Sequence, residues 1–242
     1  MKRAIEVIIG EMESKLSGYA GLLNYRFMNL CVKAEPAALI SITIEDEEGE
    51  MKNLEDLAHA MLANDYQYEI IPMDPKHVFS ICKGMYLSHP EFKQDIVTPD
   101  DENKLYYDQT DEKHILFTVP EVNKDRYDVL MDGVKVLYDQ CMVEVKKVNA
   151  AYTAKLATNL EGLPEDEIEE AKKKMEDSQQ TYSNLIDEYL TNKKKEIEDA
   201  YQHYLQEQAA KQAEADEIAA ARGEKAKTQY RVNQSEGGQS PE

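Results

Sequence analysis

The chain has 242 residues, of which 42% are hydrophobic, and it carries a formal net charge of -20 at pH 7. The acidic balance argues against a surface that is basic throughout, which nucleic-acid-binding proteins normally use to neutralise phosphates. No run approaches the about 20 apolar residues that a membrane span needs and the three cysteines lack a CxxC spacing, so we expect a cytoplasmic protein with no membrane partner.

The N-terminal segment predicts an amphipathic helix from Met1 to about Leu23, because apolar residues recur at intervals of three or four. Gly18 and Gly21 lower the helix propensity, so we expect the helix to end near them. The apolar stripe consists of Ile5, Ile8, Met12, Leu16, Tyr19 and Leu23.

Residues 26–119 alternate between strand-like and helix-like patterns, which predicts an α+β domain. Asp74 followed by Pro75 marks a helix start, since aspartate caps helices and proline suits the first helical position. The acidic run at 45–50 predicts a turn rather than a cation site, because it lacks the spacing of a calcium loop. The other predicted elements are strands at 38–44, 66–72, 96–97, 105–107 and 114–120, and a short helix over 54–62.

Two long amphipathic helices are predicted at 122–160 and 164–205, separated by the helix-breaking Glu161-Gly162-Leu163-Pro164. Each helix carries a continuous apolar stripe along one face. We expect the second helix to continue to about residue 221. We expect residues 235–242 to be disordered, because they lack apolar residues.

These elements predict an α+β protein in which a three-helix bundle is assembled from both ends of the chain. The bundle comprises residues 1–25 and 120–205, the inserted α+β domain comprises 26–119, and 206–242 form a helical extension with a disordered tail. The two connections lie close together, so the inserted domain would pivot as a body. The predicted hinge residues are Leu23, Asn24, Tyr25, Val119 and Pro120.

Five short segments carry a resemblance to a known family through their order and spacing. Leu16-Ser17-Gly18-Tyr19-Ala20 is spaced like the signature Arg-Thr-Gly-Arg-Ala, and residues 70–75 resemble a strand followed by Trp-Asp-Lys. Residues 117–122 resemble Val-Pro-Leu-Pro-x-Leu, 124–126 stand where that family has Glu-Glu-Arg-Arg, and 162–167 resemble its Ile-Ser-Glu-Asp-Glu helix start. Over roughly residues 1–201 the chain therefore resembles the ribosome recycling factor family, as a diverged member or a paralogue.

The resemblance implies a long three-helix bundle with a β/α/β domain inserted after the first helix. Members of that family are not enzymes and use no cofactor. They bind between the ribosomal subunits, contact large-subunit rRNA phosphates through arginines on the bundle, and split post-termination ribosomes together with an elongation-factor GTPase. The resemblance therefore implies the ribosome and that GTPase as partners.

The chain departs from the family at those arginines. Leu16 and Tyr19 replace the two arginines of the signature, and Asn149 and Ala150 replace two more on the second bundle helix. A lysine at such a position keeps the charge but not the bidentate contact that arginine makes with phosphate. The retained candidates for rRNA contact are Arg126, Lys146 and Lys147.

Two functions stay open on the sequence alone. One is a translation factor that promotes disassembly of post-termination complexes. The other is a paralogue that no longer recycles ribosomes and acts as an acidic interaction module for a basic protein, through the Gln/Ala/Glu-rich extension. An enzyme is not expected, because no nucleophile–base pair is evident in the sequence, and the five histidines show no metal-ligand spacing.

Overall fold

The computed structural model describes residues 2–40, 42–46, 48–97 and 113–236, with side-chain surroundings up to Arg222. Three long helices, α1 (Lys2–Met28), α4 (Lys124–Asn159) and α5 (Glu165–Glu236), pack on one another as a bundle. Their apolar stripes meet in one core, as their periodicity predicts. The most completely buried side chains of this core include Met12, Leu16, Leu23, Val134, Ile186 and Ile197.

The first helix is longer than predicted. It ends at Met28 and passes through Gly18 and Gly21, where the sequence indicated an end near Leu23. Burial of Leu23 and Phe27 in the bundle core, each 2% exposed, outweighs the helix-weakening effect of the two glycines. The helix therefore continues three residues beyond the predicted bundle boundary at residue 25.

The break between the last two helices follows the predicted chemistry. Gly162 adopts a φ of 80°, a left-handed conformation that glycine reaches without steric cost. The helix that follows carries Glu165, Asp166 and Glu167 in its first turn, where acidic side chains interact favourably with the positive end of the helix dipole.

The described residues of the inserted domain form a small hairpin, two short helices and a four-stranded antiparallel sheet. The elements are β1 (Thr43–Glu45), β2 (Met51–Asn53), α2 (Leu54–Leu57), β3 (Ala58–Asn64), β4 (Gln67–Pro72), α3 (Val78–Ser88), β5 (Lys93–Val97) and β6 (His114–Thr118). The four-stranded sheet has the order β3-β4-β6-β5. Alternate residues of its two central strands point into the domain core, which α3 covers from one side.

Several predicted elements of this domain are confirmed and others are corrected. The strands predicted at 66–72 and 114–120 are β4 and β6, and Asp74 caps the turn before α3 by accepting from the Lys76 amide at 3.0 Å. The helix predicted over 54–62 ends at Leu57, because the residues after it pair with β4 as an edge strand. Within 38–44, only the last residues belong to a strand, β1, and Pro36–Leu39 form a 3-10 turn. The strand predicted at 105–107 lies outside the described residues.

The last helix extends far beyond the bundle. It continues to Glu236, past residue 221 and into the segment predicted to be disordered, of which 237–242 lie outside the described residues. Every side chain from Gln208 to Arg222 is exposed. Across the described part of the chain, every helix is too short or too polar to cross a membrane.

Candidate functional site

Two connections join the bundle to the inserted domain, and they lie side by side. Phe27 and Val122 belong to the bundle core, whereas Cys31 and Val119 belong to the core of the inserted domain. Val32, the residue after Cys31, still packs in the bundle core, and Ala34 packs in the core of the inserted domain. The chain therefore passes from one domain to the other over residues 29–33 and again over 120–121. We call this region, together with the side chains that line it, the junction.

The predicted hinge residues divide into two groups. Leu23, Asn24 and Tyr25 lie inside α1, so the first connection falls later, after Met28. Val119 is 1% exposed and its amide donates to the Tyr66 carbonyl at 2.8 Å, which fixes it to the inserted domain. Pro120 lies in the second connection, between Val119 of the inserted-domain core and Val122 of the bundle core.

The side chain of Arg126 spans both connections. Its guanidinium donates to the Cys31 carbonyl at 2.6 Å and to the Pro120 carbonyl. Local structure sets this position, because Asn123 caps α4 by accepting from the Arg126 amide at 2.9 Å, so that the helix starts at Lys124, two residues before the arginine. Burial lowers the pKa of Arg126, yet guanidinium stays protonated in proteins. Arg126 thus directs its charge at backbone carbonyls of the junction.

A buried histidine completes the junction. His89 is 4% exposed and stacks on Phe92 with ring centroids 4.5 Å apart. Its Nδ1 lies 4.0 Å from the Cys31 Sγ and 3.3 Å from a Glu91 carboxylate oxygen. Both contacts use the same ring nitrogen, so thiol, imidazole and carboxylate do not form the relay of a nucleophilic triad, which needs both nitrogens.

The charges of the junction offset one another. Burial lowers the pKa of His89, but hydrogen bonds to Cys31 and Glu91 outweigh it and raise that pKa to about 9. Burial raises the pKa of Glu91, but the hydrogen bond to His89 outweighs it and lowers that pKa. A cavity of about 490 Å³ opens beside these groups, lined also by Asn29, Ser88 and Val129.

The two predicted lysine contacts lie on the exposed surface of α4. Lys147 bonds a Glu144 carboxylate oxygen at 2.6 Å, and this hydrogen bond raises the pKa of the lysine. Lys146 is exposed, and within the described residues it makes no ion pair. Neither lysine lies at the junction, so the structure does not bring Arg126, Lys146 and Lys147 together as one site.

Two further lysines on the bundle were not predicted as contacts. Lys15 of α1 and Lys155 of α4 lie over the Tyr152 ring, with Nζ atoms 5.3 and 5.4 Å from its centroid. Lys155 also bonds Glu11 at 2.6 Å. Lys15 directly precedes Leu16, which is fully buried and offers no charge. The adjacency of Lys15 to the first replaced arginine is the sequence signal that would have pointed to it.

The acidic run of the inserted domain is a turn, as predicted. Asp46, Glu48 and Glu50 have carboxylate oxygens within 4.8 Å of one another. The Asp46 carboxylate, however, accepts from the Glu48 and Glu50 amides at 2.9 Å and contacts the Lys52 Nζ at 2.6 Å. The Lys52 contact, followed by these amides, lowers the pKa of Asp46 to about 2. The carboxylate thus closes the hairpin between β1 and β2.

Comparisons with known proteins bear on the whole fold. A comparison with curated proteins found no match. A solution structure of the ribosome recycling factor is similar over 81% of this chain and 97% of that chain, with 19% identity and a TM-score of 0.62. Models for the T. thermophilus ribosome recycling factor and the E. coli elongation factor G bound to the E. coli post-termination complex include a chain with 16% identity, covering 80% of this chain and 98% of that one, with a TM-score of 0.52.

The family assignment comes from a sequence model rather than from these structures. The model described as ribosome recycling factor matches residues 27–197 of this chain, which is more than half of it. The match begins near the end of α1, so the signature-like segment at 16–20 lies outside it. It includes the inserted domain, both connections, all of α4 and the packed part of α5. This chain belongs to the ribosome recycling factor family.

Proposed function

We propose that this protein is a translation factor that binds the ribosome and promotes disassembly of post-termination complexes. The observation that carries the proposal is the family match over residues 27–197, on a bundle with an inserted domain that covers 97% of a ribosome recycling factor structure. We also propose that the protein is not an enzyme and that it acts in the cytoplasm. The junction supports a non-enzymatic role, since the Cys31 thiol and the Glu91 carboxylate both contact the same ring nitrogen of His89.

The proposed partners are the ribosome and an elongation-factor GTPase. Support comes from the similarity to the chain whose structure is described as a ribosome recycling factor with elongation factor G on a post-termination complex. In this proposal the bundle docks on the large subunit, and the inserted domain transmits force from the GTPase by moving about the junction.

The proposed rRNA contacts are the exposed lysines of the bundle, Lys15, Lys146 and Lys147. They act as point charges towards phosphates, because lysine lacks the planar fork of arginine. The chain as a whole is acidic, with a net charge of -20, and this charge opposes the approach to RNA. We therefore expect ribosome binding that weakens steeply as salt rises.

The proposed role of Arg126 is positioning rather than phosphate contact. Its guanidinium donates to carbonyls of both connections, at Cys31 and Pro120. In this proposal the arginine limits how far the inserted domain turns relative to the bundle. The pivot points are residues 29–33 and Pro120, in place of Leu23, Asn24 and Tyr25.

The lysine contacts are tested by cosedimentation of the purified chain with 70S ribosomes through a sucrose cushion. We expect the double variant Lys146→Glu/Lys147→Glu to bind at least about tenfold more weakly, because two phosphate contacts become repulsive. The matched control is Lys172→Glu/Lys173→Glu, which changes the net charge equally on the exposed surface of α5. Equal loss in both variants would attribute the effect to net charge alone and remove Lys146 and Lys147 from the proposed contact.

A further inference from the structure

Three exposed valines form a line along the outer face of α4. Val129, Val136 and Val143 follow one another at intervals of seven residues, which places them on one side of the helix. Their exposed fractions are 70%, 52% and 50%. Single apolar side chains are ordinary on protein surfaces, but these three recur about 10 Å apart along one face of the helix. None of the three belongs to the bundle core.

Three aspartates accompany the valines in the same spacing. Asp125, Asp132 and Asp139 each precede one of the valines by four residues, and all three are exposed. Within the part of the chain that the structure describes, none of them forms an ion pair. The six positions alternate in steps of four and three, the spacing with which a helix faces a partner helix in a coiled coil. We call these six residues the valine–aspartate seam.

The seam continues into a groove between two helices of the bundle. Val143 lines a groove of about 390 Å³ together with Leu22 of α1, which is 43% exposed. A helix lying along α4 would therefore contact apolar side chains of both helices. Arg26, Gln140 and Glu144 also line this groove, so a docked amphipathic helix would meet polar as well as apolar side chains there.

Charge selects among the possible occupants of the seam. A second copy of this chain brings a net charge of -20 and is repelled by the aspartates, except at its residues 222–231, which contain four cationic residues and one acidic residue. Residues 98–112 of the same chain contain six acidic residues and one lysine, and are repelled for the same reason. A cationic helix is attracted, and its charges can pair with aspartates that have no partner of their own.

We propose that the valine–aspartate seam is a docking surface for a cationic amphipathic helix of a partner protein. In the docked pair, apolar residues of the partner lie against Val129, Val136 and Val143. Lysine or arginine residues of the partner pair with the aspartates. The valines supply burial of apolar surface, while the aspartates fix the register and speed the encounter.

The seam and the proposed rRNA contacts are neighbours on α4. Lys146 follows Val143 by three residues and continues the seam spacing, so a helix bound at the seam would lie beside Lys146 and Lys147. Binding of a helix at the seam does not depend on ribosome disassembly, and it is measured without ribosomes. Failure of this proposal and failure of the proposed translation function are therefore distinguishable.

The test uses the full chain and a synthetic, labelled helical peptide of three heptads. In each heptad the peptide carries one leucine, to lie against a valine of the seam, and one lysine, to pair with an aspartate of the seam. Binding is measured by fluorescence anisotropy at low and high salt. A second peptide carries glutamate in place of every lysine. We expect the lysine peptide to bind, its affinity to fall at high salt, and the glutamate peptide to bind at least about tenfold more weakly.

Two triple variants locate the binding surface. We expect Val129→Ser/Val136→Ser/Val143→Ser and Asp125→Asn/Asp132→Asn/Asp139→Asn each to weaken binding of the lysine peptide about tenfold or more. The matched charge control is Glu169→Gln/Glu170→Gln/Glu176→Gln, which removes three exposed charges from α5 and is expected to change affinity less than threefold. The proposal is overturned if the wild-type chain does not bind the lysine peptide. It is also overturned if both seam variants bind like the wild type, or if the glutamate peptide binds equally well.

Discussion

The guanidinium of Arg126 donates a hydrogen bond to the backbone carbonyl of Cys31 at 2.6 Å, across 95 residues of sequence. Arg126 lies in a helix of the bundle, whereas the Cys31 side chain packs in the core of the inserted domain. The same guanidinium donates to the carbonyl of Pro120, in the second connection. One side chain of the bundle thus forms hydrogen bonds with both connecting segments that lead into the inserted domain.

Removing this side chain is expected to loosen the junction. Arg126→Ala leaves two carbonyls without their charged donor, and we expect the free energy of unfolding to fall by about 2 kcal/mol. We also expect a broader distribution of distances between bundle and inserted domain. Spin labels introduced at the exposed positions Val7 and Phe79 measure this distribution by pulsed electron paramagnetic resonance.

The control for this prediction is Arg3→Ala, which removes an exposed arginine from the start of α1. It is expected to leave both the stability and the distance distribution unchanged. An Arg126→Ala protein whose distances match the wild type would show that the arginine does not restrain the inserted domain.

The stability of the protein is expected to fall as pH rises through the range set by His89. The folded protein raises the pKa of His89 to about 9, above its ordinary value of 6.5. The folded state therefore holds this proton more tightly, and the resulting stabilisation is fully present below about pH 6.5. It is lost as pH rises through about 9, with a slope of at most about 1.4 kcal/mol per pH unit.

Urea unfolding at pH 6, 7.5 and 9 checks this dependence. His89→Gln is expected to remove the slope between pH 6.5 and 9, whereas His203→Gln, whose side chain is 56% exposed, is expected to keep it. Stability that stays constant over this range in the wild type would contradict the predicted charge of His89.

Gly84 is expected to be essential for packing α3 against β1. A Cβ at this position would lie 2.9 Å from the Ile44 Cγ1 and 3.3 Å from the Thr43 carbonyl oxygen. We expect Gly84→Ala to destabilise the protein by about 1 to 3 kcal/mol. Gly10→Ala is the matched control, because no atom lies within 4 Å of its added Cβ and alanine is expected to stabilise the helix. Thermal unfolding followed by circular dichroism separates the two; an equal response would argue against close packing at Gly84.

The last helix is expected to contribute to stability only where it packs in the bundle. Ile197 is fully buried, whereas Ile218 of the same helix is 46% exposed. We expect Ile197→Ala to cost about 2 to 5 kcal/mol through the lost burial and the cavity that it leaves. Ile218→Ala is expected to cost less than about 0.5 kcal/mol. Urea unfolding of both variants measures the difference. A large loss of stability in Ile218→Ala would mean that the side chain of Ile218 is buried against another part of the protein.

The bundle was largely predictable from the sequence, because long amphipathic helices carry a periodic apolar stripe. The start of α4 and the break before α5 follow local signals that the sequence displays. The end of α1 was placed too early because glycine propensity is a weak local signal. Burial of Leu23 and Phe27 against the other helices overrides it.

The inserted domain was predicted less well, because short strands depend on distant partners. The residues after Leu57 look helical by their apolar spacing, yet they form an edge strand, since Ala58 pairs with Pro72 and Leu62 with Tyr68. No local pattern indicates such a pairing.

The junction was the part of the candidate site that the sequence could not reveal. Arg126 was predicted as a phosphate contact, but its observed partners are the backbone carbonyls of Cys31 and Pro120, which have no side-chain signature. His89 and Cys31 are 58 residues apart and meet only through the fold. Lys146 and Lys147 were predicted as contacts through the family resemblance, and the structure places both on the exposed surface of α4.

The function proposed for this family member is the disassembly of post-termination ribosomes. The most direct measurement is light scattering of purified post-termination 70S complexes after addition of this protein, elongation factor G and GTP. We expect scattering to fall as the subunits separate, with no fall when either protein is omitted. The proposed function would be contradicted if scattering stayed unchanged with all components present, over a range of salt concentrations, and the protein also failed to bind the ribosome.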